Sequence, residues 1–245
     1  MRLKVLATGT IGLALLVGAG YLPNNSHWPV TALTLLLLAA FALGWPRLMR
    51  ASSPNPLSVV IFGISAAATL LGVMADPLPT LAWVAPSVAA GVVLIFLTQL
   101  VRGTDASKRL ESAAVGITGM LVASFGSGWA ALGAQEPWRA GALMAGISVL
   151  AAAAAGVLRL PDRIAFPLGF VLAVLAGGAA SLLHPRIELV PALVLGAACG
   201  LVVVGFRAML VSLGGPRSTV QALGAALAPL LVCGSVTWYV LLILV

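Results

Sequence analysis

The sequence predicts an all-α, polytopic membrane helix bundle with nine transmembrane helices, and three observations carry that expectation. The 245 residues are 61% hydrophobic and only 8% charged, with a mean hydropathy of +1.14, whereas soluble domains carry about 25% charged residues. Nine apolar runs, separated by polar breaks, reach or approach the ~20 residues that cross a bilayer. The basic residues fall almost entirely on alternate connections between those runs, as the positive-inside bias requires.

The runs are Val5 to Leu22, Val30 to Trp45, Leu57 to Ala75, Leu81 to Val101, Ser112 to Leu132, Ala140 to Leu158, Ile164 to Leu183, Leu189 to Phe206 and Ala222 to Val245. The first follows a basic Met1-Arg2-Leu3-Lys4 start, as a signal peptide would, and is expected to be a retained helix. The second is the shortest, and omitting it would move Arg47 and Arg50 to the wrong side. With the N-terminus in the cytoplasm, the inner segments hold Arg2, Lys4, Arg47, Arg50, Arg102, Lys108, Arg109, Arg159, Arg163, Arg207 and Arg217. Only Arg139 and Arg186 fall outside, an eleven-to-two division. That places the C-terminus outside. Trp28, Trp83, Trp129 and Trp138 fall at the expected outer boundary and Trp45 at an inner one, where indole rings favour the headgroup interface.

An offset of 108 to 112 residues lays runs two to five onto runs six to nine. Ala67-Ala68-Thr69-Leu70-Leu71 then meets Ala179-Ala180-Ser181-Leu182-Leu183, Gly91 meets Gly200, Arg109 meets Arg217, and Gly126-Ser127 meets Gly234-Ser235. The expected organisation is therefore 1+4+4: a first helix with its outer loop over 1–29, repeat A over 30–137 and repeat B over 138–245. Four spans per unit keep both copies in one orientation, related by an axis along the membrane normal, as in parallel-repeat transporters.

The composition also excludes functions. A net charge of +7 is accounted for by topology and anionic lipid headgroups, since no loop is long enough to build a nucleic-acid module. All six acidic residues lie in or beside loops, so no carboxylate is available at mid-membrane for a proton relay. Only Lys4 and Lys108 occur, neither within a span, which excludes a retinal Schiff base, and no phosphate-loop motif is present. His27 and His184, near Asn24, Asn25, Glu136, Arg186 and Glu188, lack ligand spacing, so no metal and no cofactor are expected. Cys199 and Cys233 lie in apolar runs and behave as small apolar residues. Arg outnumbers Lys eleven to two in an Ala- and Gly-rich chain, a composition typical of a high-GC bacterium, so the bacterial inner membrane is the expected location.

The candidate site residues are few. Arg109 and Arg217, matched between the repeats, are placed to grip a phosphate or lipid headgroup from the inner face. Pro86, Pro167 and Pro229 are expected to remove helical hydrogen bonds and free carbonyls. Ser124 and Ser127 on run five, with Ser235 and Thr237 on run nine, are expected to line a weakly polar cavity. Gly126-Ser127-Gly128-Trp129 lacks the pattern of an intramembrane serine protease and reads instead as small residues permitting helix contact, as does the pair Gly196 and Gly200. No acid, base or metal cluster assembles on one face, so catalysis is not expected. The sequence points to a carrier or flippase-like protein for a lipid, a lipid-linked molecule or another amphiphile. The alternative is a non-catalytic transmembrane subunit that holds a membrane enzyme or secretion partner.

Overall fold

A computed structural model describes residues 2–22, 28–74, 81–101, 106–133, 138–158, 160–182 and 187–245. Among the described residues the chain is helical and contains no strand. The helices are α1 (Arg2–Gly20), α2 (Trp28–Leu48), α3 (Pro54–Met74), α4 (Val84–Val101, entered through a 3-10 turn at Leu81–Trp83), α5 (Ala106–Phe125), α6 (Ser127–Gly133), α7 (Arg139–Ala155), α8 (Asp162–Ser181), α9 (Leu189–Ser212) and α10 (Thr219–Leu244). Seven are long and apolar enough to cross a membrane, α5 and α6 together making one of them, while Lys4–Gly20 and Arg139–Ala155 are shorter. This is a multi-pass membrane protein. Its surface agrees, because Leu36, Val59, Leu100, Leu175 and Leu201 are each at least 60% exposed, an apolar covering that water would not tolerate.

The shortest expected run, Val30 to Trp45, forms one of the longer helices, 21 residues from Trp28 to Leu48. The expected fifth span is not continuous. At Gly126 the backbone N–H turns to the Ala123 carbonyl at 2.8 Å, while Ser127 Oγ donates to the Ser124 carbonyl at 2.7 Å. The tightened turn separates α5 from α6.

The long helix α10 occupies the middle of the bundle, packing against α2, α5 and α6 on one side and α1, α7 and α9 on the other. Glycines set these approaches. A β-carbon on Gly224 would lie 2.7 Å from the Gly44 carbonyl carbon, and one on Gly128 would collide with the backbone of Gly234 and Ser235. Each of these close seams carries a Gly-Trp pair. Trp45 Nε1 donates to the Val115 carbonyl at 3.1 Å and Trp129 Nε1 to the Leu230 carbonyl at 2.8 Å. In both cases the residue four positions later, Gly119 or Gly234, lies against the indole with no side chain to obstruct it. Buried indole needs such a partner for its N–H. Trp45 and Trp129 are therefore core residues, 2% and 1% exposed, and not interfacial anchors as expected, whereas Trp28 and Trp83 are exposed. Trp138 is half-buried and packs against Trp238 in a tilted pair, ring centroids 4.2 Å apart.

Several buried hydroxyls are satisfied within their own helices. Thr34, Ser65, Thr69 and Ser148 each donate to the carbonyl four residues earlier, which lets them sit in a dry core. At the start of α10 the Ser218 hydroxyl accepts from Gln221 N–H, and Gln221 in turn accepts from the Arg217 backbone and donates to the Arg47 carbonyl. That network pins α2 to α10 at one end of the bundle, hereafter the basic end.

The neighbour pattern differs between the two sets of four helices. In the first, α3 packs against α2, α4 and α5/α6. In the second it is α9 that packs against α7, α8 and α10.

Candidate functional site

At the basic end, α1, α7, α9 and α10 splay around an apolar cavity of about 510 Å³, within the range of small-molecule pockets. Two glycines open it. Gly9 on α1 faces space, for a β-carbon there would meet only the Ala226 carbonyl oxygen, at 3.7 Å. Gly156, following α7, allows the Arg207 guanidinium to lie close by, since a β-carbon there would be 3.2 Å from Nη1.

The walls reach from Pro216 and Val211 at the basic end to Val149, Val203 and Leu230. On α9 the lining runs from Val211 to Val203, eight residues, and at 1.5 Å per helical residue the cavity reaches roughly 12 Å into the bundle. Pro229 lies at the deep end. It has no N–H, so the Ala225 carbonyl one turn earlier is released from the helical ladder, and Ala225 also lines the cavity. Thr10 adds a hydroxyl from α1.

The mouth is charged. Arg207 Nη2 stands 3.7 Å from Asp162 Oδ1, the guanidinium being 19% exposed and the carboxylate 46%. This separation is longer than the ~2.7–2.9 Å of a charge-assisted hydrogen bond. The guanidinium also lies 5.4 Å from the Phe166 ring centroid, within cation–π range. Asp162 opens α8, where a negative charge complements the helix dipole. The C-terminal signal of α9 shapes the same rim. Gly214 and Gly215 both have positive φ, 76° and 73°, and their N–H groups return to the Val211 and Leu210 carbonyls. That is the Schellman arrangement, which needs glycine in the left-handed region.

The opposite end is closed. Tyr21, Val30, Trp129, Leu132 and Arg139 surround a gap of about 10 Å³, barely the volume of one water. The gap at that end is thus far smaller than the cavity at the basic end.

Of the residues expected to form a site, Pro229 lines this cavity and the others do not. Arg217 is exposed and Arg109 half-buried at the basic end, outside the cavity lining. Ser127 and Ser235 lie where α6 crosses α10, in a packed seam, and Thr237 is buried on the same helix as Ser235. Their hydroxyls donate to the Ser124, Phe125 and Cys233 carbonyls, and Ser124 Oγ is buried without a hydrogen-bond partner. Glycines brought the backbones too close for a cavity there. Pro86 falls in the first turn of α4, where its missing N–H would have had no helical acceptor, so it breaks no bond within that helix. Pro167 is inside α8 and faces outward. His27, His184, Asn24, Asn25, Glu136 and Arg186 lie outside the described residues, as do Arg102 and Arg159.

The residues missed were Arg207, Asp162, Phe166, Gly9 and Gly156. A signal existed, because Asp162 and Arg207 are opposite charges at the same end of consecutive helices.

No protein-family model matches the chain, and no curated protein matches it. Fold and cavity define a class nonetheless: a multi-pass membrane protein, helical through its described residues, with an apolar cavity toward one end and a charged pair at its rim.

Proposed function

We propose that the protein is a carrier or flippase-like protein for a lipid, a lipid-linked molecule or another amphiphile, resident in a bacterial cytoplasmic membrane. The observation that carries this reading is the apolar cavity with the Arg207–Asp162 pair at its mouth. An amphiphile has the matching distribution, with one apolar portion and one polar end. Nine spans with the N-terminus inside and the C-terminus outside put the mouth at the cytoplasmic leaflet, on the strength of the eleven-to-two division of basic residues. The closed gap around Tyr21 and Trp129 then faces outward, which corresponds to an inward-open state of a carrier. The two short helices support the same reading. α7, with 17 residues, spans only about 25 Å, and it packs on α1 beside the cavity. A bilayer thinned to match them brings headgroups toward the mouth.

The 1+4+4 organisation with a parallel repeat remains part of this proposal, supported by the recurring spacing between 30–137 and 138–245. Arg109 and Arg217, half-buried and exposed respectively at the basic end, are assigned to attracting anionic groups at the membrane surface and not to holding the apolar substrate.

A second reading, a transmembrane subunit that holds a partner, is favoured by α4. Val93, Phe96, Leu97, Leu100 and Val101 are each about half exposed or more, making it the least buried of the seven long helices. Reconstitution separates the two. In vesicles carrying a fluorescent phospholipid quenched from outside, a flippase-like protein raises the quenched fraction beyond the outer leaflet's share. No protein-dependent rise, with a stoichiometric partner retained on purification, supports the subunit instead.

A further inference from the structure

The cavity mouth bears one cation and one anion side by side, and that combination chooses among headgroups. We propose that the Arg207–Asp162 pair selects a zwitterionic phospholipid whose headgroup ends in a primary ammonium, with Arg207 taking the phosphate and Asp162 the ammonium. This rests on the amphiphile reading given above.

The geometry supplies the reason. At 3.7 Å the two side chains attract each other across the mouth, and a guanidinium with five N–H donors can contact a ligand oxygen in addition to the partners it already has. Arg207 is held in place by the Phe166 ring and by the space that Gly156 leaves, while Asp162 is fixed to the first turn of α8. A purely anionic headgroup would gain Arg207 but would set its phosphate beside the Asp162 carboxylate, a like-charge contact in a partly buried site. Such repulsion is how a site rejects the wrong partner. An ethanolamine headgroup carries its ammonium two carbons from the phosphate ester oxygen, close enough to neutralise Asp162 while the phosphate meets Arg207. Its three N–H donors can hydrogen-bond the carboxylate, which a quaternary choline ammonium cannot do. The acyl chain then enters the apolar cavity past Phe206 and Leu210 toward Val149 and Val203.

The proposal runs against the protein's overall electrostatics. With a formal charge of +7 and its basic residues gathered at one end, unspecific attraction would enrich anionic lipid around the chain. A preference for the zwitterion must therefore come from a particular site.

The test is native mass spectrometry of the full chain in detergent, equilibrated with equimolar dioleoyl phosphatidylethanolamine, phosphatidylglycerol and phosphatidylcholine. Wild type should retain one lipid tightly, with ethanolamine favoured over glycerol by about tenfold, the equivalent of one charge-assisted hydrogen bond. Asp162→Asn should abolish or reverse that preference while a single lipid is still retained, and Asp162→Ser should do the same. Arg207→Gln should weaken retention of all three. Wild type retaining phosphatidylglycerol as well as or better than phosphatidylethanolamine would overturn the proposal, as would an ethanolamine preference that persists in both Asp162 variants. Retention of no lipid at all would overturn the amphiphile reading together with it, whereas a lipid retained without headgroup choice would overturn this inference alone.

Discussion

Replacing Gly224 by alanine should pry α2 from α10. The added methyl would lie 2.7 Å from the Gly44 carbonyl carbon and 2.8 Å from Trp45 N. Both are backbone atoms, so no side chain can rotate aside. To reach ordinary contact the helices must part until 2.7 Å opens to at least 3.4 Å. That movement strains the Gln221–Arg47 hydrogen bond between the two helices, 3.1 Å long. Overpacking costs about 1–3 kcal/mol, and a backbone clash belongs at the upper end. Alanine's better helix propensity returns about 1 kcal/mol, leaving a net loss of about 2 kcal/mol. At about 2–4 °C per kcal/mol for a chain of this size, the melting temperature in detergent should fall by about 4–8 °C. Gly9→Ala is the control, since its methyl meets only the Ala226 carbonyl oxygen, at 3.7 Å. It should melt at or slightly above the wild-type temperature. A Gly224→Ala protein as stable as wild type would refute the assignment of this seam to close backbone contact.

Three further outcomes are expected. Trp129→Phe should lose about 1–2 kcal/mol, from the hydrogen bond to the Leu230 carbonyl and the volume lost against Gly234; an unchanged melting temperature would deny the indole its role as a core strut. Gly9→Leu should fill the cavity at little cost to the fold and cut lipid retention at least tenfold, measured as bound lipid per protein after purification, and full retention would place the lipid elsewhere. A cysteine at exposed Thr219 should resist an impermeant maleimide in intact cells and react after permeabilisation; labelling before permeabilisation would invert the topology.

The apolar runs made the helices legible in the sequence, because a bilayer leaves the backbone little choice once some twenty residues lack charge. Even the short second run extended to a full-length helix, its ends completed by Trp28 and Leu48. Features set by contact between distant helices were not legible. Nothing local distinguishes Trp45 or Trp129 from an interfacial tryptophan until Gly119 and Gly234 are seen beneath their rings. The break at Gly126 arises from a Ser127 hydroxyl intercepting a carbonyl, which leaves no trace in hydropathy. The serines and threonine of α5, α6 and α10 suggested a polar cavity, but their glycine neighbours closed it. Arg207 and Asp162 were overlooked for a different reason. Asp162 opens α8 and Arg207 lies in the last third of α9, each an ordinary charge near a helix end by itself, and the pair exists because the two helices are packed as neighbours at that end.

The most direct test of an amphiphile in this cavity is photocrosslinking with a phospholipid bearing a diazirine near the end of one acyl chain, followed by peptide mapping. The account places the adducts on Val149, Val203, Ala226 and Leu230 at the deep end, and Gly9→Leu should suppress them. Adducts confined to the outward-facing Leu36, Leu97, Leu175 and Leu201, unaffected by Gly9→Leu, would show a chain held only by the bilayer around the bundle and would contradict it.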